Sequence, residues 1–171
     1  MRVFLAAPLT QTLGAERRVD PQFRADLSRL HEFLESLGND VFSAHVRERW
    51  GEALDTPSGA LAIDLAQLKA CDAVVAIVGT PPSPGVQLEL GYAVALNKPM
   101  LIIASDSAET PYLVRGLPDF ADASIYSTAT LDGALGFLEE ELRRLDPTPR
   151  ADTRKRYQGG RRVKRVRRGT P

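Results

Sequence analysis

Ala73-Val74-Val75-Ala76-Ile77-Val78 is an unbroken apolar, β-rich run. Shortly after it come Ser83-Pro84-Gly85 and the helical pattern Val86-Gln87-Leu88-Glu89-Leu90-Gly91-Tyr92-Ala93. A strand that is apolar without alternation must be covered on both faces, as in a parallel sheet flanked by helices. The Pro/Gly turn then places the start of a helix, with its unpaired amides and positive dipole end, at the carboxyl end of that strand. This stretch therefore commits the chain to an α/β fold and to a phosphate-sized anion site with a carboxylate one turn away.

The remaining sequence repeats this grammar. Arg2 to Ala7 reads as another doubly covered strand, ending in the small residues Ala6-Ala7-Pro8 that let a ligand approach the backbone. Leu9 to Val19 is a polar loop of the length that in compact domains carries function. Asp20-Pro21 reads as N-cap and first turn of a helix whose apolar side is Phe23, Leu27, Leu30, Phe33, Leu34 and Leu37, closed by Gly38. Asp40 to Ala44 is a second strand, and His45 to Pro57 a second long loop. Ser58 is placed to cap a helix to about Lys69 with Leu61, Leu65 and Leu68 buried; Asp64 shares that apolar face, an unusual position for an acid. Strands over Asp72 to Val78, Pro99 to Ala104 and Ala123 to Tyr126 follow, with helices to Asn97, over Tyr112 to Arg115, and over Leu131 to Leu145.

The alternation implies a flavodoxin-like, Rossmann-like doubly wound five-stranded parallel sheet of order 2-1-3-4-5. In that order strands 1 and 3 are neighbours at the topological switch point. The loops after Ala7 and Val78 then line one crevice, within reach of the helix that carries Asp64.

The length of 171 residues fits one domain with a real core. No apolar run approaches the ~20 residues that span a bilayer, and Arg2 to Ala7 is too short for a signal peptide, so a cytoplasmic protein without membrane contact is expected. The single cysteine, Cys71, excludes an internal disulfide or cysteine metal cluster and reads as a small core residue. The overall neutrality divides unevenly. Residues 147–171 hold ten of the 22 Lys and Arg and one acid, leaving residues 1–146 with 12 basic and 21 acidic side chains, a net charge of −9. We therefore read 1–146 as the catalytic domain and 147–171 as a basic, disordered tail. That tail is either solvated or lies against the acidic body, or else makes sequence-independent contacts with nucleic acid.

The chemistry gathers on a few residues. The amides of Gly85, Val86 and Gln87 with the Ser83 hydroxyl suit an anion, although a purely structural loop-to-helix junction has the same sequence. Glu89 is either a solvated helix glutamate or a carboxylate held among apolar neighbours, one turn from that anion. The second case suits attack on an anomeric carbon whose 5′-phosphate sits at the helix start. Asp64 is either a buried acid satisfied by backbone donors or a partner that orients Glu89, bonds ribose hydroxyls or protonates the leaving base. His45, Arg17, Arg18, Arg47 and Arg49 each have solvated or supporting alternatives, and Trp50 either stacks on a base or closes its loop over the core.

Taken together, Cys71-Asp72-Ala73-Val74-Val75-Ala76, Ser83-Pro84-Gly85, Glu89-Leu90-Gly91-Tyr92-Ala93 and Lys98-Pro99 resemble the nucleoside 2-deoxyribosyltransferase superfamily. Ala44-His45-Val46-Arg47-Glu48-Arg49-Trp50-Gly51 and Thr80-Pro81-Pro82-Ser83-Pro84-Gly85 look closest to its cytidine monophosphate and hydroxymethyl-cytidine monophosphate N-glycosidases. The resemblance covers roughly residues 2–145. It implies hydrolysis of a pyrimidine nucleoside 5′-monophosphate to free base and (deoxy)ribose 5-phosphate, with no cofactor or metal. Glu89 would be the nucleophile and Asp64 the second acid. Ser83, Gly85, Ala7 and Pro8 would meet the phosphate, and Phe4, His45, Arg47 and Trp50 the base or sugar. It also implies a homodimer, with Tyr112 to Gly116 crossing to the partner. The Ala6-Ala7-Pro8-Leu9 loop and Pro111 depart from common family versions. A base-exchanging deoxyribosyltransferase and a non-catalytic nucleotide sensor are the alternatives; the Ser83 donor favours a phosphorylated substrate and hence the hydrolase.

Overall fold

The five strands are β1 (Arg2–Ala6), β2 (Asp40–Ser43), β3 (Ala73–Val78), β4 (Met100–Ala104) and β5 (Ala123–Ser127). They come from a computed structural model that describes residues 1–9, 12, 19–79, 82–105 and 110–146. All pair in parallel in the order β2-β1-β3-β4-β5. Val3 sits opposite Ala73 and Ala6 opposite Ala76, so β1 and β3 end side by side as the topology requires.

Because side chains alternate across a strand, the central strands feed two separate cores. Val3, Leu5, Val75, Ile77, Leu101 and Ile103 pack on one face, beneath α1 (Pro21–Ser36) and α7 (Leu135–Leu145). Phe4, Ala6, Val74, Ala76, Val78 and Ile102 pack on the other, beneath α3 (Pro57–Ala70) and α4 (Pro84–Ala95). All six residues of β3 are buried, which explains the unbroken apolar run. Each such side chain contributes about 1.5–3 kcal/mol of burial. The α1 start is as the sequence implies: the Asp20 carboxylate accepts the Phe23 N–H at 2.9 Å and Pro21 opens the first turn. No helix among the described residues is long and apolar enough to cross a membrane.

Several local expectations are corrected. His45 to Pro57 is not a plain loop: it holds α2 (Ala44–Arg47) and a 3-10 turn over Arg49–Gly51. The turn runs through left-handed backbone at Arg49, Trp50 and Gly51 (φ 49°, 60° and 96°), and only the last is a residue type that adopts it freely. Thr56, not Ser58, caps α3, its hydroxyl accepting the Gly59 N–H at 3.1 Å ahead of Pro57 in the first turn. Leu61 is 43% exposed, so the buried stripe of α3 narrows to Leu68 with Leu65 half-buried. A short α6 (Leu117–Phe120) follows α5 (Tyr112–Arg115). A 3-10 turn over Leu131–Ala134, capped by Thr130, precedes α7. Arg17, Arg18, most of the Leu9 to Val19 loop, Thr80-Pro81 and the basic tail from Pro147 onward lie outside the described residues.

Candidate active site

The start of α4 has the expected position but fewer free donors. Ser83 is its N-cap and is buried; its Oγ accepts the Val86 N–H at 3.4 Å, and its carbonyl accepts the Gln87 N–H at 3.1 Å. Two of the three amides read from sequence as open to an anion are thus already engaged, because a serine cap satisfies them first. The Ser83 hydroxyl, accepting one bond, still has its own proton to donate. Gly85 is exposed, and a Cβ built there would approach Ser83 Oγ to 3.7 Å.

One turn further along, Glu89 turns its carboxyl inward. Its Oε2 is fully buried without a hydrogen-bond partner, and so is Oδ1 of Asp64 on α3. The structure brings the two acids together: burial, and secondly the Asp64 charge, push Glu89 from 4.5 up to about 8. Asp64 rises from 3.8 to about 6, chiefly by burial, with Arg47 pulling it down and Glu48 pushing it up. Buried carboxyls whose environments separate their affinities for a proton are the arrangement used for acid and base work at neutral pH.

Arg47 is the hub of the surrounding charges. Its Nη2 contacts Glu48 Oε1 and lies 3.7 Å from Asp64 Oδ1, while Nη1 lies 3.7 Å from Asp55 Oδ2. Nε and Nη1 are buried and make no hydrogen bond. Glu48 is only 4% exposed, and burial raises it against the opposing pull of Arg47. Nothing in the sequence distinguishes Glu48 from a solvated acid. Its burial arises only because α2 and the following turn fold back towards α3.

His45 is completely buried, its ring between Phe23 and Trp50 at centroid distances of 5.9 and 5.8 Å. Its Nε2 is 3.0 Å from the Pro8 carbonyl. A carbonyl only accepts, so Nε2 carries the proton. Burial lowers the histidine to about 4, keeping it neutral. Trp50 packs towards the α1 side, with the Arg24 guanidinium 5.1 Å from its ring. Phe4 is 1% exposed and stacks on Phe42 at 5.2 Å, beneath the sheet face shared with α3 and α4. Pro8 is buried and its carbonyl is occupied by His45 and by the Thr12 hydroxyl, while Ala7 is half-buried. Of the four residues assigned to the base or sugar, Arg47 alone reaches the carboxylates.

A cavity of about 440 Å3 also opens at the carboxyl ends of the strands, lined by Pro8, Phe23, Ile77, Ile103 and Thr128 among others. These residues belong to the α1 side of the sheet, and neither Asp64 nor Glu89 lines the cavity.

The chain is similar to several known proteins. Residues 3–145 match the family described as nucleoside 2-deoxyribosyltransferase. Over 77 residues the chain is 43% identical to a 5-hydroxymethyl-dUMP N-hydrolase of Mus musculus, covering 45% of this chain and 44% of that one. The match thus spans less than half the length of that relative. Among solved structures, the CMP N-glycosidase BcmB of Clostridium botulinum superposes with a TM-score of 0.65 at 26% identity, over 82% of this chain and 99% of that one. BlsM superposes with a TM-score of 0.71 at 30% identity, over 84% and 90%. A 2-deoxyribosyltransferase of Bacillus psychrosaccharolyticus, at 21% identity and a TM-score of 0.56 over 75% and 88%, shares the fold.

Proposed function

The chain belongs to the nucleoside 2-deoxyribosyltransferase family, and from that premise we propose that it hydrolyses the N-glycosidic bond of a pyrimidine nucleoside 5′-monophosphate. Cytidine or 5-hydroxymethyl-cytidine monophosphate is the preferred substrate, and the products are free base and (deoxy)ribose 5-phosphate. The observation that carries this reading is the inward-facing pair Asp64 on α3 and Glu89 on α4, each with a buried oxygen lacking a hydrogen-bond partner, Glu89 lying one turn beyond Gly85. The similarity to N-hydrolases and N-glycosidases supports it.

With Asp64 at about 6 and Glu89 at about 8, the pair holds one proton at neutral pH. The proton rests mainly on Glu89, the weaker acid of the two; the reactive form is the less populated arrangement, with the proton on Asp64 and the charge on Glu89. Glu89 then attacks C1′ as the bond to the base breaks, and Asp64 gives its proton to the departing base. The resulting glycosyl ester is opened by water, whose proton passes to Asp64, freeing the sugar phosphate and the Glu89 carboxylate. Ser83, with Gly85 and the Ala7-Pro8 loop, faces the phosphate. Arg47 lies towards the base and sugar, while Phe4, His45 and Trp50 support the wall from behind. Each charge-assisted bond to phosphate is worth about 1.5–3 kcal/mol, so even one favours a monophosphate over a free nucleoside by roughly tenfold or more.

The protein acts as a cytoplasmic homodimer in this reading, the partner docking on the exposed α5 side chains Tyr112 and Leu113, 80% and 81% accessible. The test is chromatographic. Incubation with cytidine monophosphate should release cytosine and ribose 5-phosphate, addition of a second base should give no new nucleoside, and Glu89→Ala should abolish release while the protein stays folded. A new nucleoside would identify a transferase, and unchanged nucleotide a sensor.

A further inference from the structure

We propose that Glu48 is a positioning residue that divides the Arg47 guanidinium between two carboxylates and so keeps the arrangement with the proton on Asp64 within reach of the catalytic pair. The inference rests on the hydrolase reading for its kinetic consequence but not for its electrostatic one.

The geometry sets up a competition for one cation. Arg47 Nη2 is hydrogen-bonded to Glu48 and is 3.7 Å from Asp64 Oδ1, beyond hydrogen-bond reach. Glu48 is held in place as well as buried, its backbone N–H bonded to the Ala44 carbonyl at 2.8 Å and its carbonyl accepting from Gly51 and Ala53. Asp55 engages the other guanidinium nitrogen from the loop before α3. The charged groups facing Asp64 are therefore Arg47 at the end of α2, Glu48 just after it and Glu89 from α4, with Asp55 acting on Arg47 and Glu48 from outside.

An unopposed Arg47 would bind the Asp64 carboxylate and shift the single proton still further towards Glu89, so that the reactive arrangement becomes rarer. Glu48 and Asp55 offset that pull. The interaction counts because it is partly buried, where a charge a few ångströms away moves a carboxyl by roughly one pH unit or more. Such a change alters the ratio of the two proton arrangements about tenfold.

The test is the Glu48→Gln variant, which keeps the shape and a hydrogen-bond acceptor for Arg47 but removes the charge. In protein carrying 13C-labelled aspartate carboxyls, with Asp64→Asn identifying the signal, Asp64 should titrate lower than in wild type by roughly one pH unit. Arg47→Gln should move the same signal upward. For cytidine monophosphate, Glu48→Gln should lower kcat/KM at pH 7 by roughly three- to tenfold through kcat rather than KM, and Glu48→Asp should restore part of it. A group that only supports the fold would move neither the titration nor the pH profile. Should Glu48→Gln fail to fold, Asp55→Asn, on a side chain 39% exposed, carries the same test with a smaller downward movement. An Asp64 titration that stays put or rises on removing the acid overturns the proposal. A wild-type protein that releases no base overturns the hydrolase reading and leaves the titration arm decisive for Glu48.

Discussion

Replacing Glu89 by glutamine is expected to stabilise the fold in a pH-dependent manner. Burial and the neighbouring Asp64 charge raise Glu89 from 4.5 to about 8. Between those values the unfolded chain has released the proton and the folded chain retains it. Stability therefore falls as pH rises through that window: the deficit is absent below 4.5 and complete above 8. At about 1.4 kcal/mol per pH unit the ceiling is about 5 kcal/mol. Glutamine removes the charge but buries amide hydrogens that need partners, at a cost of about 1–3 kcal/mol. The net gain at pH 9 should then be on the order of 2–4 kcal/mol. Urea unfolding followed by far-UV circular dichroism at pH 5, 7 and 9 measures it. The wild-type free energy should decline from pH 5 to 9 and the variant's should decline less, so that the variant starts at or below the wild type at pH 5 and overtakes it by pH 9. Parallel curves, or a variant less stable at pH 9, would refute the assignment of Glu89 as a buried carboxyl under electrostatic stress. The expected outcome identifies a residue whose burial weakens the fold, the cost that functional sites commonly carry.

Three further outcomes follow from the same geometry. Ser83→Ala should lose about 1 kcal/mol of stability through the α4 cap, and should raise KM for the monophosphate roughly tenfold while leaving that for the free nucleoside nearly unchanged. His45, lowered from 6.5 to about 4, contributes stability that is present above 6.5 and lost as pH falls towards 4. His45→Gln, which can still donate to the Pro8 carbonyl, should flatten that acid-side decline in thermal melts between pH 4.5 and 7. A chain ending at Leu145 should hydrolyse substrate with unchanged kcat, and a large loss would show that the basic tail takes part in the site.

Legibility in the sequence followed the strength of local signals. The order β2-β1-β3-β4-β5 was readable because β3 is apolar without interruption and helices separate the strands. Asp64 and Glu89 stood out because acids on apolar helical faces are costly to bury. α2 escaped because four residues, Ala44–Arg47, are too few to display a period. The turn after it escaped because Arg49 and Trp50 take left-handed backbone without being glycine. Thr56 and Ser58 both look like caps, and only the position of Pro57 at the first turn decides between them. Glu48 was invisible for a different reason: its burial depends on the fold of the turn after α2, whose left-handed residues give no sequence signal.

The register of β1 carries a consequence for how the protein is made. β1, one strand in from the β2 edge, is made well before its other neighbour: Val3 has Ala73 as its β3 partner, seventy positions later. Until then β1 has only β2 to pair with, and its other edge is open. Closing so long a loop is entropically slow, and exposed apolar strand edges associate with other chains. Refolding should accordingly proceed on the millisecond-to-second scale of non-local topologies, and fragments ending before β3 should aggregate rather than fold.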